Sequence, residues 1–448
     1  MRVLFVHQNF PGQYLHLARQ LGASQDHEVV FITQRKDVTI PGVRKVLYQP
    51  KRAVTPGVHH YLREAESHVL NGQEVARLAL LLRQSGFTPD VMLGHNGWGE
   101  IWYLKDVFPQ VPLIGYFEFF YRFLGADVGF EPGESAIFDT GPRVRTKNFG
   151  NLLALETADL GQCATHWQKS LYPSAYHEKL HVVHEGIDTQ TVCPNPLARL
   201  RFPEGLELAA GEEIVTYVAR NLEPYRGFTT FMRSLPQMLA RRPRAHVVII
   251  GGDDVSYGAR PPEGKTYKSM ALEEVGSSLD LSRVHFLGKV PYQVFLQVLR
   301  ISRVHVYLTY PFVLSWSMLE AMAAQCFVVG SRTQPVQEVI EHGENGWLVD
   351  FFSIPELVDS VVAALEDGRA HERIRANARR TIMERYDLRS VCLPAQMNLL
   401  RLAVGAPACS LWTGAKIGNH VVAPTAASKA LSSRATASMT LVHSRAAG

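Results

Sequence analysis

Short apolar runs that barely alternate with polar residues recur along the whole chain. They are VLFV (Val3 to Val6), VVFI (Val29 to Ile32), DVMLGH (Asp90 to His95), PLIGYF (Pro112 to Phe117), KLHVVHEG (Lys179 to Gly186), IVTYVAR (Ile214 to Arg220), HVVIIGG (His246 to Gly252), RVHFLG (Arg283 to Gly288), RVHVYLTY (Arg303 to Tyr310) and CFVVGS (Cys326 to Ser331). A strand that is apolar on both faces must be covered on both, as in a parallel sheet sandwiched between helices. Helix-period stretches such as GQYLHLARQLGA, FTTFMRSLPQMLARR and YQVFLQVLRIS lie between most of them. The alternation predicts doubly wound α/β units.

The chain has 448 residues, more than one core holds, since single cores stop growing near roughly 250 to 300 residues. The strand patterns fall into two sets around the proline-rich segment Thr191 to Glu213, which shows no strand pattern before Ile214. We therefore expect a first domain over 1–190, a linker over 191–213 and a second domain over 214–385, with a ligand crevice where strand ends and helix starts converge. The stretch ARRTIMERYDLRSVCLPAQMNLLRLA predicts a return helix over 386–403 that crosses to the first domain, kinked at Pro394. From 404 to 448 Ala, Ser, Thr and Gly dominate, and the tail is expected to lack fixed structure.

Composition excludes several classes. No apolar run approaches the roughly 20 residues of a membrane span, and MRVLFVHQ reads as a strand and not a signal peptide; a cytoplasmic protein is expected. Cys163, Cys193, Cys326, Cys392 and Cys409 are scattered, without metal-like spacing. The formal charge of +4 comes from the end of the chain: after Asp387 there are no acids, and without the six basic residues found there 40 Lys and Arg face 42 acids. The body is near neutral, so bulk charge makes no case for nucleic acid.

Two constellations carry chemistry. In YPFVLSWSMLEAMAAQ an acid, Glu320, follows Ser317 at capping-box spacing. Either Ser317 caps a helix and Glu320 reaches back to its first amide, or the helix start aims unpaired amides at a phosphate while Glu320 accepts hydrogen bonds from vicinal hydroxyls such as a ribose's. In YVARNLEPYRGF a strand ends at Arg220 and a turn carries Arg226 before Gly227 opens a helix. Two guanidinium forks there suit phosphate oxygens, at about 1.5 to 3 kcal/mol per charge-assisted contact; the alternative is surface arginines paired with Glu223.

The order VARNLEPYRGF, VVIIGG, VHFLG, PFVLSWSMLEAMA, FVVGS and PVQEVIEHGENGWLV resembles the C-terminal half of family 4 glycosyltransferases, retaining enzymes of the GT-B fold, and VVHEGID resembles the close of their N-terminal domain. The likeness runs from Met1 to about Ala403 and is most specific between Val182 and Val349; a bacterial subgroup shares the PFVLSW signature. It implies two Rossmann-like domains facing across a cleft. By position, Arg220 and Arg226 match the basic pair that holds the donor diphosphate, although five residues separate them here where the family has four, so Tyr225 competes with Arg226 for the second place. Glu320 matches the second acid of E-x(7)-E, the ribose ligand. The first acid, beside the transferred sugar, is replaced by Phe312. The amides of Ser315, Trp316 and Ser317 would face phosphate, and Gly288 with Lys289 would read the base.

In the first half, FVHQNFPGQY places Gly12 at a helix start that the family uses near donor phosphates and acceptor, though a plain Pro-Gly turn fits as well. In LGHNGWGE, His95, Asn96 and Trp98 combine polar groups with an aromatic platform suited to sugar, the alternative for His95 being a core histidine. Glu118, in GYFEFFY, stands where the family often has a histidine contacting the sugar, and burial there would raise its pKa. No D-x-D occurs, so guanidinium groups and helix amides are expected to neutralise the diphosphate without a metal. The resulting expectation is a retaining, metal-independent glycosyltransferase without cofactors, moving sugar from a nucleotide sugar to a saccharide or lipid-linked acceptor in polysaccharide or glycoconjugate synthesis. RRPR (Arg241 to Arg244) and the basic tail leave room for peripheral contact at the inner membrane face. The rival readings are a sugar-nucleotide epimerase of the same fold and a catalytically impaired nucleotide-sugar binder.

Overall fold

The computed structural model describes residues 1–133, 138–366 and 368–405; the tail expected from 404 lies outside them beyond residue 405. Two parallel α/β sheets build the fold. The first contains β1 (Arg2–Val6), β2 (Glu28–Thr33), β3 (Val43–Leu47), β4 (Val91–His95), β5 (Leu113–Tyr116), β6 (Leu160–Cys163) and β7 (Leu180–Val182), ordered β3-β2-β1-β4-β5-β6-β7. A two-stranded antiparallel ribbon, β8 (Arg199–Arg201) and β9 (Glu207–Ala209), precedes the second sheet. That sheet contains β10 (Ile214–Asn221), β11 (His246–Gly252), β12 (Val284–Gly288), β13 (Val304–Tyr307), β14 (Phe327–Ser331) and β15 (Trp347–Val349), ordered β12-β11-β10-β13-β14-β15.

The apolar runs explain the layering. Along β1 and β2, Leu4, Val6, Val30 and Ile32 enter one core and Val3, Phe5, Val29 and Phe31 the other, on opposite faces of one sheet. In the second sheet Val215, Tyr217, Val247 and Ile249 fill one face while Ile214, Val248 and Ile250 fill the other. Burying each such side chain contributes roughly 1.5–3 kcal/mol, which a slip of one residue in register would preserve only because both faces are apolar. The helix Phe228–Arg241 covers the second sheet with Phe228, Phe231, Met232, Leu235, Met238 and Leu239, an apolar stripe at helical spacing.

Two expectations change. The segment 191–213 is not strand-free: Phe202-Pro203-Glu204-Gly205 turns the chain, with Gly205 at φ 91°, and Glu207 pairs with Arg199 at 2.6 Å and with Arg201 across the ribbon. Ala198, Phe202 and Leu208 sink into the second domain's core. The return segment breaks at Tyr386–Asp387 and not at Pro394. Asp387 caps the next turn by accepting from Arg389 N at 3.0 Å and Ser390 N at 2.7 Å. A π-helical turn, Leu388–Cys392, then leads into the helix Leu393–Gly405. Pro394 is the second residue of that helix, where the ladder passes from wide to normal pitch and its missing amide needs no kink. Leu399, Leu400 and Ala403 of this helix pack into the first sheet's core. Among the described residues no helix is long and apolar enough to cross a membrane.

Candidate active site

Each sheet order reverses between two neighbouring strands, β1/β4 in the first and β10/β13 in the second, and the crevice beyond the carboxyl ends of such strands is where α/β sheets bind ligands. His7 follows β1, and His95 ends β4. Both are about 1% exposed, and their rings lie 5.0 Å apart, with Trp98 at 5.0 and 4.6 Å from them. His7 Nδ1 accepts from Asn9 N at 2.9 Å, so the proton is on Nε2, which donates to Gln13 Oε1 at 2.7 Å. Gln13 Nε2 in turn donates to Glu118 Oε1 at 3.1 Å. His95 repeats the logic: Nδ1 accepts from Gly97 N at 2.9 Å, leaving Nε2 aimed at Glu118 Oε2 at 3.6 Å. Gly12 permits this, since it sits at φ 54° and a Cβ there would fall 2.4 Å from His7 Nε2.

Charge follows from that geometry. Burial, with His95 adding to it, drives His7 down to about 3, so the ring is neutral at pH 7. Glu118 departs from expectation. Burial pushes its carboxyl up, but His95, His7 and Arg220 together outweigh that and hold it below the ordinary carboxylate value. Its side chain is 35% exposed, on the cleft side of a strand end.

Arg220, the last residue but one of β10, is exposed, with no ion pair among the described residues, and it reaches Glu118 of the first domain electrostatically. Arg226 lies deeper, 8% exposed. Its Nη1 donates to Tyr307 Oη at 3.2 Å, Thr309 Oγ1 at 2.8 Å and Val313 O at 2.9 Å. The rings of Tyr257 and Phe312 cover it at 5.3 and 5.9 Å. It meets no carboxylate among the described residues. Glu223, the partner considered for these arginines, instead accepts from the amides of Ser256, Tyr257 and Gly258 at 3.0 to 3.2 Å, and so seats Tyr257 on Arg226.

The helix Trp316–Ala323 is capped by Ser315, whose Oγ accepts from Ser317 N at 3.3 Å. The capping box between Ser317 and Glu320 is therefore not formed, because Ser317 already stands inside the helix. Two of the three amides expected to face phosphate are taken, since Ser315 N donates to Tyr307 Oη at 2.8 Å; the Trp316 amide has no acceptor among the described residues. Glu320 turns to Tyr292, which donates to Oε1 at 2.7 Å, and burial pushes the carboxyl up to about 7 against that hydrogen bond. Tyr292, Arg220, Lys289 and Val290 line a recess of about 300 Å³. Gly288, at φ 65°, ends β12 at its rim, and Lys289 pairs with Asp254 at 3.2 Å.

The structure thus gathers Arg220, Lys289 and, through Tyr292, Glu320 around one recess, and Gly12, His95, Trp98 and Glu118 around another strand end. It does not bring Asn96 or Phe312 to an open surface. Asn96 is 5% exposed and donates to Asn151 Oδ1 at 2.7 Å, tying its loop to the helix Phe149–Thr157. Phe312 is 7% exposed, wedged against Phe119 at 4.7 Å and Tyr257 at 4.9 Å, because an aromatic in place of an acid packs and does not solvate. Sequence reasoning missed His7, Gln13 and Tyr292. The first two stood in FVHQNFPGQY, where a histidine one residue past a buried strand beside a helix start was the usable signal.

Residues 25–192 match the model described as glycosyl transferase family 4 group, and residues 199–381 the one described as glycosyl transferases group 1. The D-inositol 3-phosphate glycosyltransferase of Corynebacterium efficiens is 25% identical over 222 residues, 48% of this chain and 50% of that protein. The chain thus spans about half the length of the curated relatives it matches. A crystal structure of Anabaena HepE in complex with UDP and glucose superposes with a TM-score of 0.61 at 18% identity, covering 90% of this chain and 100% of that one. Sucrose-phosphate synthase from Thermosynechococcus elongatus gives 0.67 at 16% identity, covering 91% and 100%. The fold is GT-B.

Proposed function

We propose that the chain, whose residues 25–192 and 199–381 match two glycosyltransferase family models, transfers a sugar from a nucleoside diphosphate to an acceptor hydroxyl, with retention at the anomeric carbon and without a metal ion. The bond from the anomeric carbon to the diphosphate oxygen breaks and its electron pair leaves with the diphosphate; the acceptor oxygen bonds to the same carbon and its proton passes to the departing diphosphate. Stabilising the departing charge is the main task, and a catalyst supplies about 8–23 kcal/mol over the uncatalysed reaction.

The observation that carries this reading is a pair of guanidinium groups at one strand end, exposed Arg220, which forms no ion pair, and buried Arg226, which meets no carboxylate, among the described residues. A buried cation left uncompensated is expensive unless an anion visits it. The recess beside Arg220, Lys289 and the Tyr292–Glu320 pair suits the nucleoside, and ionised Glu118 across the cleft suits the developing positive charge of the sugar ring. UDP with glucose in HepE supports nucleotide sugars as the donor class, and a saccharide or lipid-linked alcohol is the proposed acceptor, in the cytosol. Thermal shift across a panel of nucleotide sugars finds the donor, and the anomeric coupling in the NMR spectrum of the product reads the stereochemistry. A panel in which no nucleotide raises the melting temperature, or an inverted product, sinks the reading.

A further inference from the structure

Glu185 is a carboxylate only 2% exposed, in the turn after β7. Its two oxygens look in different directions. Oε1 accepts from the hydroxyl of Tyr116, the last residue of β5 in the first domain. Oε2 accepts from the indole Nε1 of Trp316 at 3.0 Å, the first residue of the helix Trp316–Ala323 in the second. Its main chain is pinned as well. Gln396 Nε2, from the helix Leu393–Gly405, donates to the carbonyls of His184 and Glu185 at 3.1 Å each. His184 Nδ1 accepts from Gly186 N at 3.0 Å, which turns its Nε2 toward Glu185 Oε2, 3.6 Å away.

A carboxylate buried this far must be hydrogen-bonded on both oxygens or cost several kcal/mol, by general desolvation arguments. Here one of its two strong donors belongs to the opposite domain. The carboxylate is fully partnered only while the start of the helix Trp316–Ala323 sits where it does. That start carries the Trp316 amide, which has no acceptor among the described residues, and, one turn on, Glu320. We propose that Glu185 is a positioning residue: by holding the Trp316 indole it fixes this helix start against the first domain, so that the donor-facing amide and Glu320 are in place only when the two domains are seated. It touches no substrate and acts through Trp316. The assignment rests on the reading of this helix start as part of the donor site.

The test is a double-mutant cycle on the full chain with Glu185→Ala, Trp316→Phe and both together, alongside Glu185→Gln. In the transfer assay kcat/KM for the donor is expected to fall about tenfold or more in each single variant, chiefly through a raised donor KM, with the double variant no worse than the poorer single. Glu185→Gln retains most of kcat/KM, because its amide accepts from the indole and donates to Tyr116. Without any ligand, amide hydrogen exchange over residues 313–318 speeds up in Glu185→Ala and in Trp316→Phe. Losses that add in the double variant, or exchange at 313–318 unchanged in Trp316→Phe, overturn the proposal; Trp316→Phe keeps the ring in place should Glu185→Ala not fold. A wild-type chain that transfers no sugar refutes the donor-site reading alone, and the exchange cycle still decides the role of Glu185.

Discussion

The hydroxyl of Tyr292 donates to Glu320 Oε1 at 2.7 Å, joining the helix Tyr292–Ile301 to the helix Trp316–Ala323 at the edge of the recess. With burial pushing Glu320 up to about 7 from its ordinary 4.5, the sign of its pH effect follows. Below about pH 4.5 it is protonated whether the chain is folded or not. As pH rises to 7 the unfolded chain ionises it while the folded one keeps the proton, so stability falls by up to about 3 kcal/mol and then levels. Glu320→Gln removes that loss. Its melting temperature is expected to gain on the wild type between pH 5 and pH 8, while donor affinity drops. Calorimetry at both pH values reads the first effect and titration calorimetry the second; a variant less stable at every pH with unchanged affinity makes Glu320 a purely structural acid.

Arg220 and Arg226 separate by burial. Arg220 is exposed and makes no protein hydrogen bond among the described residues, so Arg220→Ala is expected to leave the melting temperature within a degree or so of wild type, about the ±0.5 kcal/mol of ordinary surface changes. It weakens nucleoside diphosphate binding by about tenfold, the loss of one charge-assisted contact. Arg226→Ala removes three donated hydrogen bonds and is expected to lower both stability and affinity. Equal diphosphate affinity in Arg220→Ala and wild type counts against the site.

Much of this architecture was legible because both faces of most strands are apolar, which marks β1, β2, β4, β5, β7, β10, β11, β12, β13 and β14 as apolar runs. The strands that escaped are those whose pattern is diluted. β3, VRKVL, lies at an edge and is partly exposed throughout; β6 is LGQC; β8, β9 and β15 have three residues each. Of the candidate site, Arg220, Arg226 and Glu320 could be placed because loop and helix starts are local. What escaped depends on who faces whom: Glu118 is held low by His95, His7 and Arg220, far apart in sequence, and Tyr292 reaches Glu320 across 28 residues. The capping box failed for a local reason, since Ser315 two residues upstream was an equally good cap.

In the proposed scheme guanidinium groups and a helix amide, and no divalent ion, neutralise the donor's charge. Transfer is therefore expected to continue at more than about half its rate in excess chelator, since nothing in the scheme routes through a divalent ion. Initial rates with and without chelator check this, and restoration by manganese after complete loss refutes it.

Glu118 sets the last expectation, and its sign is opposite to that of Glu320. Its carboxyl is held below the usual range, so it stays ionised throughout pH 5 to 8 and the acid limb of kcat/KM lies below about pH 4.5, where an ordinary carboxylate titrates. Glu118→Gln is expected to cost about a hundredfold or more in kcat, with little change in melting temperature for a side chain 35% exposed. His95→Ala deletes the ring that contributes most to holding the carboxyl down, against burial that pushes it up. The limb should then move to higher pH, because burial goes on favouring the neutral acid while the opposing partner is gone. A pH–rate profile of His95→Ala whose acid limb coincides with that of wild type dissociates the two residues and leaves His95 a core histidine.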